Sequence, residues 1–210
     1  MNTLKETFYT RNPKLTHLEQ EIDTAISVML ESAKNKKALL FCGNGGSAAD
    51  SDHIVGELMK GFVLKRPLPD ALKTALIKDY DNGEFLANTL QQGIAAISQT
   101  HHSALNFAVH NDLHGDLIFA QQVLGYAPIS GVVVGMSTSG NAENIINAFK
   151  VAKTQGLKTI LLSGETGGKL KAFADIAICV PESETYKVQE YHLAIYHYIC
   201  LMLESSLFDS

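Results

Sequence analysis

His53 and Glu57 stand four residues apart, so on a helix they share one face. An imidazole and a carboxylate at that spacing can hold one metal ion, or act as a base with an orienting partner. An isolated pair of this kind is more often a solvated surface pair. Its place in the chain alters that balance, because it lies about two turns beyond Gly43-Asn44-Gly45-Gly46-Ser47. A second set, Gln189, His192 and His197, falls near the carboxyl end. His192 shares a face with Gln189, whereas His197 is eight residues away, about 12 Å of rise on a helix. One straight helix hardly brings Gln189 and His197 to a single ion. Either the helix start is distorted, or one of the two serves a site shared with a neighbouring subunit. Taken alone, His197 reads as a core or interface histidine among Ile195, Tyr196, Tyr198 and Ile199.

Two loops rich in Gly, Ser and Asn suit a phosphate. Gly43 to Ser47 follows the apolar run Ala38 to Cys42, and Ser137-Thr138-Ser139-Gly140-Asn141 follows Val132 to Met136. Each is succeeded by helix-compatible sequence, to about Lys60 and about Thr154 respectively. A helix N-terminus offers unpaired backbone N–H groups and the positive end of the helix dipole. Glycine lets the backbone approach an anion, and the hydroxyls of Ser47, Ser137, Thr138 and Ser139 donate without adding charge. A single loop could equally be an ordinary turn with Ser47 or Asn141 as N-cap; two at successive strand ends are harder to dismiss. A dinucleotide fingerprint fits poorly, since Ala48 occupies the third glycine position and no strand-terminal acid follows near Leu64. No nucleotide cofactor is expected.

The elements that carry these loops form an α/β chain. Leu15, Leu18, Ile22, Ala25, Ile26, Met29, Leu30 and Ala33 mark one face of an N-terminal helix over about 15–34. Further apolar runs occur at 159–162 and at 176–180, the second closed by Pro181, and a final helix spans about Thr185 to Leu207. Apolar runs that are continuous rather than alternating, separated by helices, predict a mostly parallel sheet covered on both faces. Ligands bind such sheets beyond the carboxyl ends of the strands. Pro67-Leu68-Pro69-Asp70 reads as loop and Asp79 to Gly83 as turn, while Leu86 to Ile97 fits helix, strand or both.

The 210 residues suit one domain. Seventeen basic against 22 acidic residues give a formal net charge of −5, which argues against non-specific nucleic-acid binding. No apolar run is long enough for a membrane span. Three widely spaced cysteines argue against a disulfide scaffold and for a reducing cytoplasm.

The stretches CGNGGSAADSDHIVGEL, GMSTSGNAENIINA, LLSGETGGKL and VQEYHLAIYH together resemble the sugar-isomerase (SIS) domain family, and within it the sedoheptulose-7-phosphate (phosphoheptose) isomerases. The resemblance covers most of the chain, with the motifs in the family's order. It implies a single SIS domain over 1–210, a flavodoxin-like three-layer αβα sandwich whose N- and C-terminal helices make subunit contacts. It implies a homotetramer with active sites at subunit interfaces, a phosphorylated sugar as substrate, and a role in making a lipopolysaccharide precursor. Asn44, Gly45, Gly46 and Ser47 would contact the sugar phosphate, Ser137, Thr138 and Ser139 would cradle its phosphate, and Asn111 and Asp112 would hold hydroxyls. His53, Glu57, Gln189 and His197 match the positions that bind zinc in members containing it. Glu57 and His197 match the catalytic pair, with Glu57 and Gln189 also facing substrate. The implied reaction is aldose–ketose isomerisation through an enediol. A carboxylate that also touches zinc is a weaker base, so the two uses of Glu57 oppose each other.

Two departures stand out. Ala142 replaces a serine usual at the phosphate site, and the stretch between Glu57 and Asp112 is longer than the family norm, with the extra residues around 67–105. The alternatives are an isomerase of another phosphosugar, or a non-catalytic SIS module that binds a phosphosugar or a protein such as a replication initiator. Such a module lacks the catalytic Glu and His, and this chain has both.

Overall fold

A computed structural model describes residues 2–209. Five strands form one parallel sheet in the order β2-β1-β3-β4-β5: β1 Ala38–Gly43, β2 Ala96–Ser98, β3 Ser130–Ser137, β4 Lys158–Ser163 and β5 Ile176–Cys179. The sheet is parallel because each strand is joined to the next by a crossover that returns the chain to the same end of the sheet. Its central strands are buried on both faces, so their sequences run apolar without alternation.

Helices cover both faces. On one side lie α1 (Asn2–Arg11), α2 (Glu19–Lys34), α3 (Gly46–Met59) and α9 (Thr185–Phe208). Their apolar side chains meet Leu39, Phe41, Val132, Val134, Met136, Ile160, Leu162 and Ile178. On the other lie α7 (Ile118–Tyr126) and α8 (Glu143–Thr154), against Leu40, Cys42, Val133 and Leu161. The alternate residues of β1 and β3 thus feed two separate cores, as a period of two requires. The chain passes from β1 through α3 on one face and from β3 through α8 on the other. This reversal puts a crevice between β1 and β3, where such sheets bind ligands.

The expected helix over 15–34 is present, but its first turn is a 3-10 segment, Pro13–Leu18, and α1 precedes it. The segment 86–97 is both helix and strand, the end of α5 (Gly83–Thr89) followed by β2. The stretch around 67–105, expected to be enlarged, holds α4 (Asp70–Asp79), α5, β2 and the start of α6 (Ser103–Asp112). α4 packs chiefly on α5, forming a hairpin, and buries none of its residues.

Candidate active site

Gly43 of β1 pairs with Met136 of β3, so the two loops emerge side by side. Gly43 is dictated by space: a Cβ there would lie 2.4 Å from the Ser47 carbonyl oxygen. Gly45 takes φ +56°, which turns the chain into α3. A Cβ at Gly46 would meet the Gln189 amide at 2.2 Å, so Gln189 lies directly against the first loop. Ser47 is buried in the first turn of α3 and is not its N-cap, which is Gly45.

In the second loop Ser137 is buried and Ser139 exposed. Gly140 has φ +66°, and a Cβ there would lie 2.0 Å from the Gly167 carbonyl oxygen. The segment after β4 therefore braces this loop, with Gly164 N–H donating to the Thr138 carbonyl at 3.0 Å and Ser163 Oγ to that of Ser137 at 2.6 Å. Ala142 is the N-cap of α8 and supplies no side-chain hydrogen bond. Asn44 and Asn144 exchange two side-chain amide bonds, of 3.0 and 2.9 Å, which tie the first loop to the first turn of α8.

α3 and α9 bring His53, Glu57 and His197 together. His53 Nε2 lies 3.2 Å from Glu57 Oε1 and 3.5 Å from His197 Nε2. Burial lowers the His197 pKa, the neighbouring His53 adds to that, and Glu57 opposes it. Two residues that sequence reasoning missed complete the group. The Tyr196 hydroxyl lies 3.0 Å from His53 Nδ1 and donates to Asp50 Oδ1 at 3.2 Å. Burial raises the Asp50 pKa against this bond. The available signal was that Tyr196 adjoins His197 and that Asp50 precedes His53 by one turn.

The nitrogen and carboxylate donors suit zinc, and their spacings approach the roughly 3.3 Å between ligands of a tetrahedral ion bonded at about 2.0–2.1 Å. Yet no group of three or more His, Cys, Asp or Glu among the described residues closes on a common centre. α9 is one uninterrupted helix from Thr185, so Gln189 stays beside Gly46, about two turns from His197. Asn111 and Asp112 sit exposed at the end of α6, and Asn111 Nδ2 donates to Asp112 Oδ1 at 2.8 Å. Among the described residues, neither side chain hydrogen-bonds to the loops or to the His–Glu group.

Two SIS domain family models match the chain, one over residues 12–97 and the other over residues 89–206. The chain belongs to the SIS domain family. Its relatives define it further, as a member of the phosphoheptose isomerases. The phosphoheptose isomerase of Nitratiruptor sp. is 36% identical over 189 residues, covering 90% of this chain and 88% of that protein. The solved phosphoheptose isomerase of Neisseria gonorrhoeae superposes with a TM-score of 0.72 at 28% identity, covering 97% of this chain and 96% of the other. That of Francisella tularensis gives 0.74 at 26% identity, with the same coverage.

Proposed function

We propose that this protein is an aldose–ketose isomerase that converts sedoheptulose 7-phosphate to D-glycero-D-manno-heptose 7-phosphate through an enediol. The observation that carries the reading is the His53–Glu57–His197 group on α3 and α9, with α3 starting in the first of two adjacent phosphate-type loops. A base with its proton carrier and an anion cradle are what this reaction needs.

Gly45, Gly46 and Ser47 receive the phosphate from one side, and Ser137, Thr138 and Ser139 from the other, with Asn44 and Gln189 beside them. With Ala142 in place of a hydroxyl residue, the second loop relies on these three side chains. Asn111 and Asp112 hold substrate hydroxyls at the rim. The Glu57 carboxylate takes the proton from C1 of the ketose. His197, its pKa lowered by burial, takes the proton from O1 and gives it to O2. Glu57 then returns its proton to C2, which completes the aldose with no net gain or loss of protons. His53, Glu57 and His197 carry donor types that zinc takes, but they do not close on a common centre and Gln189 stays about two turns from His197, so no step of the reaction is assigned to zinc.

The working form is a homotetramer in which α1, α2 and α9 make subunit contacts. Exposed Tyr186 and Leu193 on α9 support an assembly that covers apolar surface. The three unpaired cysteines support a cytoplasmic location, and no described helix is long and apolar enough to cross a membrane. NMR in heavy water with sedoheptulose 7-phosphate tests the function. Deuterium entering beside the carbonyl together with aldoheptose phosphate is the expected result. No exchange by folded, zinc-supplied protein would sink it, and a panel of other sugar phosphates would then separate another isomerase from a binding module.

A further inference from the structure

Arg66 and Glu204 are fully buried and joined by a 2.7 Å bond from Nε to Oε1. Each holds something besides its partner. Arg66 Nη1 donates to the Leu58 carbonyl at 2.7 Å and Nη2 to that of Glu57 at 3.3 Å. These carbonyls belong to the last turn of α3, where helical acceptors lack partners and the dipole favours a cation. Glu204 accepts the backbone N–H groups of Phe62, Val63 and Leu64 at 2.8, 2.9 and 3.0 Å. The Phe62 ring in turn lies 5.5 Å from that of His197. His197 and Glu204 are seven residues apart on α9, two turns along one stripe. One buried pair therefore grips the backbone of Glu57, the loop that leaves it, and the ring against His197.

We propose that Arg66 and Glu204 are positioning residues for this site: their ion pair fixes the end of α3 bearing Glu57 against the stripe of α9 bearing His197. The proposal rests on the isomerase reading for its kinetic consequence but not for its geometric one. An ion pair so fully removed from water adds little net stability, and apolar replacements of similar volume are often tolerated. What an apolar pair cannot supply is direction, here two carbonyls and three N–H groups held at set places. The backbone at Arg66 also meets the neck of the α4–α5 hairpin, where the Gln92 N–H donates to the Arg66 carbonyl at 2.8 Å.

The test is the double variant Arg66→Met/Glu204→Leu, with Arg66→Lys as the milder change if the double variant does not fold. Lysine can keep Glu204 but cannot reach both carbonyls as well. Turnover is counted per chain that binds sedoheptulose 7-phosphate in a calorimetric titration, which removes any misfolded fraction. The expected result is a fall in kcat of about 30-fold or more for the double variant and about 10-fold for Arg66→Lys, with KM within about threefold, the scale of effect of misplaced catalytic groups. A folded variant with kcat within twofold of the parent overturns the proposal. Imidazole NMR without substrate gives a second, activity-independent answer. His53 and His197 ring signals should shift in the folded variant, and unchanged signals overturn the positioning role. If the parent protein isomerises no sugar phosphate, the functional reading fails and the NMR arm alone decides the positioning.

Discussion

The segment from β1 through α3 and the hairpin of α4 and α5 are built on opposite terms. In the first, all of β1 is buried, and Ser47, Ser51, Ile54 and Leu58 anchor α3 in the core. His53 and Glu57 are carried on the remaining face, so their positions are inherited from the packing beneath them. In the second, α4 buries nothing, and the hairpin closes on itself where Gly83 comes so near α4 that a Cβ would lie 1.9 Å from the Leu76 carbonyl oxygen. Leu72, Ile77, Tyr80, Phe85 and Leu90 stay exposed. Chemistry sits where the core leaves least freedom, and the hairpin sits where a change costs the core least.

Substitutions can break that contrast or sharpen it. The largest effect is expected from Glu57→Gln, which removes the base but keeps the shape: turnover should fall by about a thousandfold or more, with sugar-phosphate binding nearly unchanged by titration. An active Glu57→Gln enzyme would show that the rigid arm carries something other than the base. Next comes acid. His192 is buried on α9, and burial lowers its pKa to about 4, partly opposed by a contact with the Ser163 backbone. The folded state therefore binds fewer protons than the unfolded chain at mildly acid pH. The stability is fully present above the unfolded value near 6.5 and is lost as pH falls toward 4, by about 3 kcal/mol in all. Urea midpoints at pH 7 and pH 4.5 would measure it, and His192→Gln should flatten that part of the slope.

Smaller is Ser139→Ala, expected to weaken phosphorylated sugars by about tenfold, one charge-assisted hydrogen bond, while leaving unphosphorylated sugars unaffected. Equal losses for both would remove the second loop from the phosphate site. Smallest is Phe85→Ser on the hairpin, where denaturation should move by no more than about 0.5 kcal/mol, as for other exposed sites. A loss that grows with protein concentration would instead reveal that the hairpin is covered in the assembly.

Four of the five strands, the two loops and the helices bearing His53, Glu57 and His197 were legible because their signals are local: continuous apolar runs, glycine at turns, and spacing by helical turns. α1 was not, since Phe8, the one buried side chain among those described on it, is fixed by stacking on Tyr198 at 4.2 Å, far away in sequence. α4 was missed for the opposite reason, having no buried face to impose a period. The Tyr196–Asp50 and Arg66–Glu204 links join residues more than a hundred positions apart, and no spacing rule reaches that far. The distance between Gln189 and His197 was legible, and the unbroken α9 keeps it.

The reciprocal amide pair of Asn44 and Asn144 also bears on how the protein ages. Asn44 precedes glycine, the arrangement in which an asparagine side chain most readily cyclises onto the following backbone nitrogen and hydrolyses to aspartate. Both the carbonyl and the amide of Asn44 are engaged by Asn144, which keeps the side chain turned away from that attack. Loss of the partner would open a slow chemical clock, and each conversion would put a permanent negative charge beside the proposed phosphate site.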